Sequence, residues 1–400
     1  MKPRLLACTV LVLFLILAPS SLRSQTPASD ANLTVHEWGT FTSIAGKDGR
    51  AVVWQPLSGS TDLPGFVEHF KSANFKVSVP GTVRMETPVL YFYAPHETTV
   101  SVRVSLSKGL ITEWYPHATS VSPEGPLTDV ALYKEGVDGS IAWNNVLLEP
   151  GGDSAKFPRD EEGRTDRYYA ARQTSSTPLL VRTHKGDQFE KFLFYRGVAS
   201  FAVPVSAKIE ADGKVVAENL FHQEIPNVLL FERRGDKLGY RIADASAGKP
   251  TLDPPELTGS MSSLNQDVVS MLIAQGLYQD EAQAMFETWQ DSWFEEGSRL
   301  LYIVPRQFVD DVLPLTIHPI PAQTVRVFVG RIELITPATQ SAVEQALLAR
   351  DYATLDRYGR FFNPILDALI ASEKDPARKR QLLRALSTPT GTPLAANTRR

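Results

Sequence analysis

Apolar and polar residues alternate over long stretches of the chain. In Val100-Ser-Val-Arg-Val-Ser-Leu106 every second residue is apolar, which predicts a strand with one buried and one wet face. Similar runs recur from residue 33 to about 244, rich in Val, Phe, Tyr and Thr and broken by Gly, Pro and Asp. Three hairpins are predicted where two runs flank a turn sequence. They join residues 205–210 to 214–218 through Ala211-Asp212-Gly213, and 228–233 to 238–242 through Arg234-Gly235-Asp236-Lys237. The third joins 99–106 to 110–115 through Ser107-Lys108-Gly109. Many short strands at this spacing predict antiparallel sandwiches. The body over 33–250 has room for one sandwich or two, with the charged stretch 159–166 marking a break near 155–167.

The period changes after the Pro-rich stretch 250–255. Ser263 followed by Gln266 reads as a capping box opening a helix to about Gln275, with Gly276 as its stop. A second helix is predicted over 280–296, where Ala282, Phe286, Trp289 and Trp293 form a packing stripe at 3-and-4 spacing. Glu287, Asp291 and Glu295 recur at spacing four and predict a solvated acidic ridge. Residues 300–304 and 324–335 return to strand texture. Helix resumes from Thr339, with Asp351 and Asp375-Pro376 as cap signals. The predicted fold class is α+β and predominantly β. An antiparallel β-sandwich body over 33–250 precedes a mostly helical region over 258–386 and a disordered tail over 387–400.

The start of the chain changes the picture of where the protein works. Lys2 and Arg4 precede an apolar run over 5–18, and the small residues Ser20, Ser21 and Ser24 follow. That is the anatomy of a cleavable secretion signal over 1–24, leaving a polar linker over 25–32. The run is shorter than the roughly 20 residues a membrane span needs, so no transmembrane span is predicted in the mature chain. The single cysteine, Cys8, leaves with the leader, so no disulfide, thiol nucleophile or Cys-ligated metal is expected. A secreted or periplasmic address follows. The 41 Lys and Arg against 45 Asp and Glu argue against nucleic acid as the main partner. Only residues 373–400 are locally basic. They read as a solvated helix face and tail, or alternatively as a contact for anionic envelope surfaces.

Strings that would announce a catalyst are missing. There is no G-x-S-x-G elbow, no phosphate-binding P-loop and no G-x-G-x-x-G. His96-Glu97-Thr98-Thr99 begins a zinc-protease pattern but has Val100 where its second histidine should stand. The most pointed stretch is His36-Glu37-Trp38-Gly39-Thr40-Phe41-Thr42. Further stretches of the same kind are Met85-Glu86-Thr87-Pro88-Val89-Leu90-Tyr91-Phe92-Tyr93, Ile111-Thr112-Glu113-Trp114-Tyr115-Pro116 and Asp291-Ser292-Trp293-Phe294-Glu295-Glu296-Gly297. On these motifs the chain resembles a set of uncharacterised secreted bacterial proteins whose mature part opens with His-Glu-Trp-Gly-Thr-Phe-Thr. The resemblance spans most of the mature chain and implies a secreted address, with no catalytic residues to carry over.

Strand geometry narrows the chemistry. His36, Trp38 and Thr40 share one face of an extended strand, and Glu37 and Phe41 the other. If 113–117 is extended, Glu113, Tyr115 and His117 share a face. Were that edge to lie near His36, then His36, Glu113 and His117, with Glu86 as a spare carboxylate, would form a ligand set for a divalent metal. The bland alternative is a satisfied strand-end histidine with rim carboxylates. Trp38, Trp114, Tyr115 and Trp143 supply ring faces that, beside carboxylates, suit a sugar-binding cleft, although core packing accounts for such rings equally well. Two functional expectations result. One is a non-catalytic envelope protein binding a glycan or a partner protein. The other is a secreted hydrolase, metal-assisted or using paired carboxylates, at the His36/Glu113/His117 edge.

Overall fold

The strand Ser29–Ile44 (β1) lies parallel to the strand Ile320–Leu334 (β18), with Trp38 opposite Val327 and Thr42 opposite Arg331. Both are buried on two faces along most of their length, as a strand covered by a layer on each side must be. The computed structural model describes residues 29–57, 63–70, 79–124, 136–160, 167–246 and 248–387. The predicted leader over 1–24 and the predicted tail beyond 387 lie outside them, as does most of the charged stretch at 159–166.

Between these two strands the chain adds β2 (Glu68–His69), β3 (Val83–Tyr93), β4 (Thr98–Leu106), β5 (Gly109–Tyr115), β6 (Ser120–Ser122) and β7 (Gly139–Leu148). There follow β8 (Leu179–Thr183), β9 (Gly186–Glu190), β10 (Leu193–Ala199), β11 (Val205–Ile209), β12 (Val215–Asn219) and β13 (Asn227–Arg234). The remaining strands are β14 (Lys237–Asp244), β15 (Thr251–Leu252), β16 (Gly297–Ile303) and β17 (Leu315–His318). The helices are α1 (Met261–Ile273), α2 (Gln279–Trp293), α3 (Arg306–Val312), α4 (Pro337–Ala349), α5 (Tyr352–Asp356), α6 (Phe362–Ser372) and α7 (Pro376–Ser387).

A nine-stranded sheet in the order β14-β13-β16-β18-β1-β3-β10-β5-β2 forms the middle layer. One face packs on a six-stranded sheet (β17-β4-β7-β8-β9, with β6 on β7) and on a three-stranded sheet (β11-β12-β15). That interface holds Phe41, Met85, Leu90, Phe92, Trp143 and Phe328. The opposite face packs on α1 and α2 around Trp38, Tyr91, Phe231, Met285, Trp289 and Trp293. A third cluster joins α4 to α7 to Ile44 and Trp54. The fold is α+β and predominantly β, as the patterning implies.

Several expectations need correction. The division near 250 is not where the sheet divides, because β16 and β18 from the C-terminal region are central to it. The body is not two sandwiches in succession either, since β1, β3, β10 and β13 all belong to one sheet. The hairpins at 205–218 and 228–242 form, but 99–115 is not a hairpin. β4 joins the six-stranded sheet and β5 the nine-stranded one. The reason lies in the residues: β4 alternates buried and wet positions, as an outer sheet requires, whereas β5 begins with four consecutive buried residues. Lys108, at φ +49°, turns the corner, and its N–H donates to Asp138 Oδ1 at 2.8 Å.

The first helix starts earlier than its apparent cap. Ser260, not Ser263, is the N-cap, and its hydroxyl accepts from the Ser263 N–H at 3.1 Å. Ser260→Ala should therefore cost about 1 kcal/mol in urea denaturation. A cost below a few tenths would deny it the capping role. The stripe Ala282, Phe286, Trp289, Trp293 is buried as expected, and Asp351 caps α5. The acidic ridge is only partly solvated, because Glu295 turns inward to Arg331 at 2.8 Å.

Candidate functional site

His36 lies fully buried beneath α2. Its Nδ1 is 2.7 Å from Glu281 Oε2, while Glu281 also accepts from the Tyr93 hydroxyl and the Tyr278 N–H, both at 2.8 Å. Glu281 is the third residue of α2, so this dyad clamps the helix's first turn to β1. His117 stands past the end of β5, with Nδ1 2.8 Å from Glu68. Glu113 pairs in register with Arg196 and accepts from the Thr112 hydroxyl. Two strands, β3 and β10, separate β1 from β5, so His36 and Glu113 stand about 14 Å or more apart at ordinary strand spacing. The proposed set His36, Glu113, His117 is therefore not assembled. Among the described residues, no three His, Cys, Asp or Glu side chains converge as metal ligands. Alternation fixes which face a residue takes but not which strands are neighbours.

Three of the four ring candidates are core. Trp38 and Trp143 are fully buried and Tyr115 is 3% exposed. The Trp143 indole N–H donates to the Pro116 carbonyl at 2.9 Å. Trp114 is half-buried, and its indole N–H donates to Glu68 at 3.0 Å.

What does converge is a polar cluster on the helix-facing side of the large sheet. In register across three strands stand Arg331, Thr42 and Arg84. One row along, Thr40 faces Glu86. Here β3 carries one extra residue relative to both β1 and β10, and Thr87 within this bulge has φ +44°. A β-branched residue in that conformation is strained, and bulges re-aim side chains beside functional sites. Arg196 Nη2 donates to Thr87 Oγ1 at 3.4 Å and its guanidinium lies over the Trp289 ring. From the C-terminal helices, Arg360 reaches in to pair with Glu86 Oε1 at 2.7 Å and to donate to Ser292 Oγ at 3.1 Å.

Five arginines (84, 196, 299, 331 and 360) thus meet three buried or half-buried carboxylates, Glu86, Glu295 and Glu333, with Glu113 toward the β5 edge. Arg299 is occupied: it donates to the Trp293, Glu295 and Glu296 carbonyls, closing the end of α2, and to Glu333. Burial pushes the Glu86 carboxyl up, but Arg360, Arg84, Arg196 and Arg331 outweigh it and hold the carboxyl below its ordinary value. Burial pulls Arg331 down to about 10 despite Glu333 and Glu295, and the like charges of Arg299 and Arg360 pull the same way. Arg84 is lowered by burial and by Arg360 and Arg196. The cluster is more cationic than its own carboxylates neutralise.

Hydrogen-bonding capacity is also left over. Arg331 Nη2 serves the Ser292 carbonyl, Glu295 and Glu333, but Nε and Nη1 have no partner. The hydroxyls of Thr40, Thr42 and Thr288 and the indole N–H of Trp289 are likewise buried without one. Buried polar atoms are ordinarily paired, by protein, water or ligand. Glu86, Thr40 and the Ser292–Glu295 stretch stand out in the sequence, whereas the arginines do not. Their signal was present: Arg331 and Glu333 interrupt the apolar run Val327-Phe-Val-Gly-Arg-Ile-Glu-Leu334.

No protein family matches the chain, and no curated protein matches it either.

Proposed function

We propose that the protein is exported and acts by binding, holding a glycan or another envelope component at the Glu86 cluster on the helix-facing side of the large sheet. The observation that carries this is the set of unpaired, buried hydrogen-bonding atoms on Thr40, Thr42, Trp289 and Arg331, drawn from three separate parts of the chain. Buried polar atoms that the protein leaves unpaired call for water or a ligand as their partner. The leader-like residues 1–24 support the exported address. Binding is favoured over hydrolysis because a general acid must carry a proton near neutral pH. Glu86, at the centre of the cluster, is held ionised by guanidiniums instead, whereas burial pushes the Glu295 carboxyl at its rim up.

The test is a glycan array probed with the mature protein and with a Thr40→Val/Thr42→Val variant of unchanged melting temperature. Retention of a defined glycan set, lost in the variant, is the expected result. Release of new reducing ends from a retained glycan would replace binding with hydrolysis. Equal retention by both proteins would move the ligand elsewhere.

A further inference from the structure

We infer that the group seated at the Glu86 cluster is an oxyanion, a carboxylate or phosphate carried by the ligand, gripped by Arg331 with the hydroxyls of Thr42 and Thr40. The inference rests on the binding reading above and names the ligand's chemistry.

Three observations carry it. The first is the balance of unused donors and acceptors. Arg331 Nε and Nη1 and Trp289 Nε1 can only donate, and the two threonine hydroxyls can do so. Against them, Glu86 Oε1 is paired with Arg360, which leaves Glu333 Oε1 as the carboxylate atom of the cluster without a partner among the described residues. A ligand meeting this set must bring acceptors. The second is charge: the arginines outnumber the carboxylates they surround, and the like charges of neighbouring arginines add to burial in lowering Arg331 and Arg84. A bound anion would relieve it. The third is placement. Arg331 is fully buried, held by Ser292, Glu295 and Glu333 through Nη2 and by the Phe361 ring beneath its guanidinium, so its Nε–H and Nη1 donors are oriented yet unused. Each can donate one charge-assisted hydrogen bond to a carboxylate or phosphate oxygen. Thr42 stands between Arg331 and Arg84 in register, where its hydroxyl would add a further contact to the same oxygens.

Thr42→Val separates this from a structural role. The hydroxyl bonds to nothing in the protein, so its removal should leave the fold intact or slightly more stable. Mature wild type and variant would be titrated by calorimetry with inorganic phosphate, sodium acetate, sodium glucuronate and a neutral hexose, at constant ionic strength in chloride. The expected result is saturable binding of at least one oxyanion by wild type, weakened roughly 10- to 100-fold in Thr42→Val, the worth of one hydrogen bond to a charged group. Binding of phosphate but not the carboxylates identifies a phosphorylated ligand, and the reverse an acidic sugar or other carboxylate. Equal oxyanion binding by both proteins, or none above chloride, overturns the inference. In that event, a neutral glycan retained on the array and lost in the double variant would leave the binding reading standing. Loss of both would end the two together.

Discussion

Glu86→Ala is expected to lower the free energy of unfolding by about 3–5 kcal/mol, the cost of deleting one partner from a buried charge network. Glu86 is 2% exposed and surrounded by Arg84, Arg196, Arg331 and Arg360. Without it, these cations lose the carboxylate that they share. Urea denaturation followed by tryptophan fluorescence measures the effect, and a cost under 1 kcal/mol would show that the arginines are compensated elsewhere. Glu86→Gln keeps the shape and removes the charge, so it should recover only part of the loss. The pH dependence has a definite sign. Because the folded carboxyl lies below its unfolded value, its contribution is complete above the unfolded pKa, about 4.3. It is lost as pH falls through the lower folded value. Glu86→Gln should therefore flatten the loss of stability on the acid side of pH 4 while leaving the neutral range parallel to wild type.

The second large effect is steric. Gly330 lies opposite Tyr302 in the β16–β18 ladder, and a Cβ built there would stand 2.1 Å from Tyr302 Cζ and 2.6 Å from its hydroxyl. The ring is 2% exposed. Gly330→Ala should cost about 3 kcal/mol or more, at the upper end of overpacking penalties. In a Tyr302→Ala background the same substitution should cost under about 1 kcal/mol, because the obstructing ring is gone. A double-mutant cycle by chemical denaturation measures this coupling. Additive effects in that cycle would mean the glycine is required for something other than room for the ring.

Legibility followed the range of the interaction. Alternation in residues 100–106, the Asp212-Gly213 turn and the cap at Asp351 are decided by neighbours in sequence, and these readings hold. The 99–115 hairpin failed because Ser107-Lys108-Gly109 suits a turn whichever sheet receives the next strand. Likewise His36 and Glu113 take the same face of the sheet, as alternation allows, but strand order puts β3 and β10 between them. The arginine cluster draws on β1, β3, β10, β16, β18, α2 and the segment around Arg360, and no window of sequence contains it. Its only local trace is a charged residue within an apolar run, which reads as a boundary until the partner strand is known.

The parallel pairing of β1 with β18 also governs when the molecule can fold. Thr42 and Arg331 are neighbours in space but are separated by most of the chain. Closing that pair requires ordering nearly everything between them first, so contact order is high and folding correspondingly slow. On the export proposed above, this is an advantage. The N-terminal half cannot complete its central sheet before the C-terminal strand has been synthesised, which on that proposal would keep it threadable during translocation.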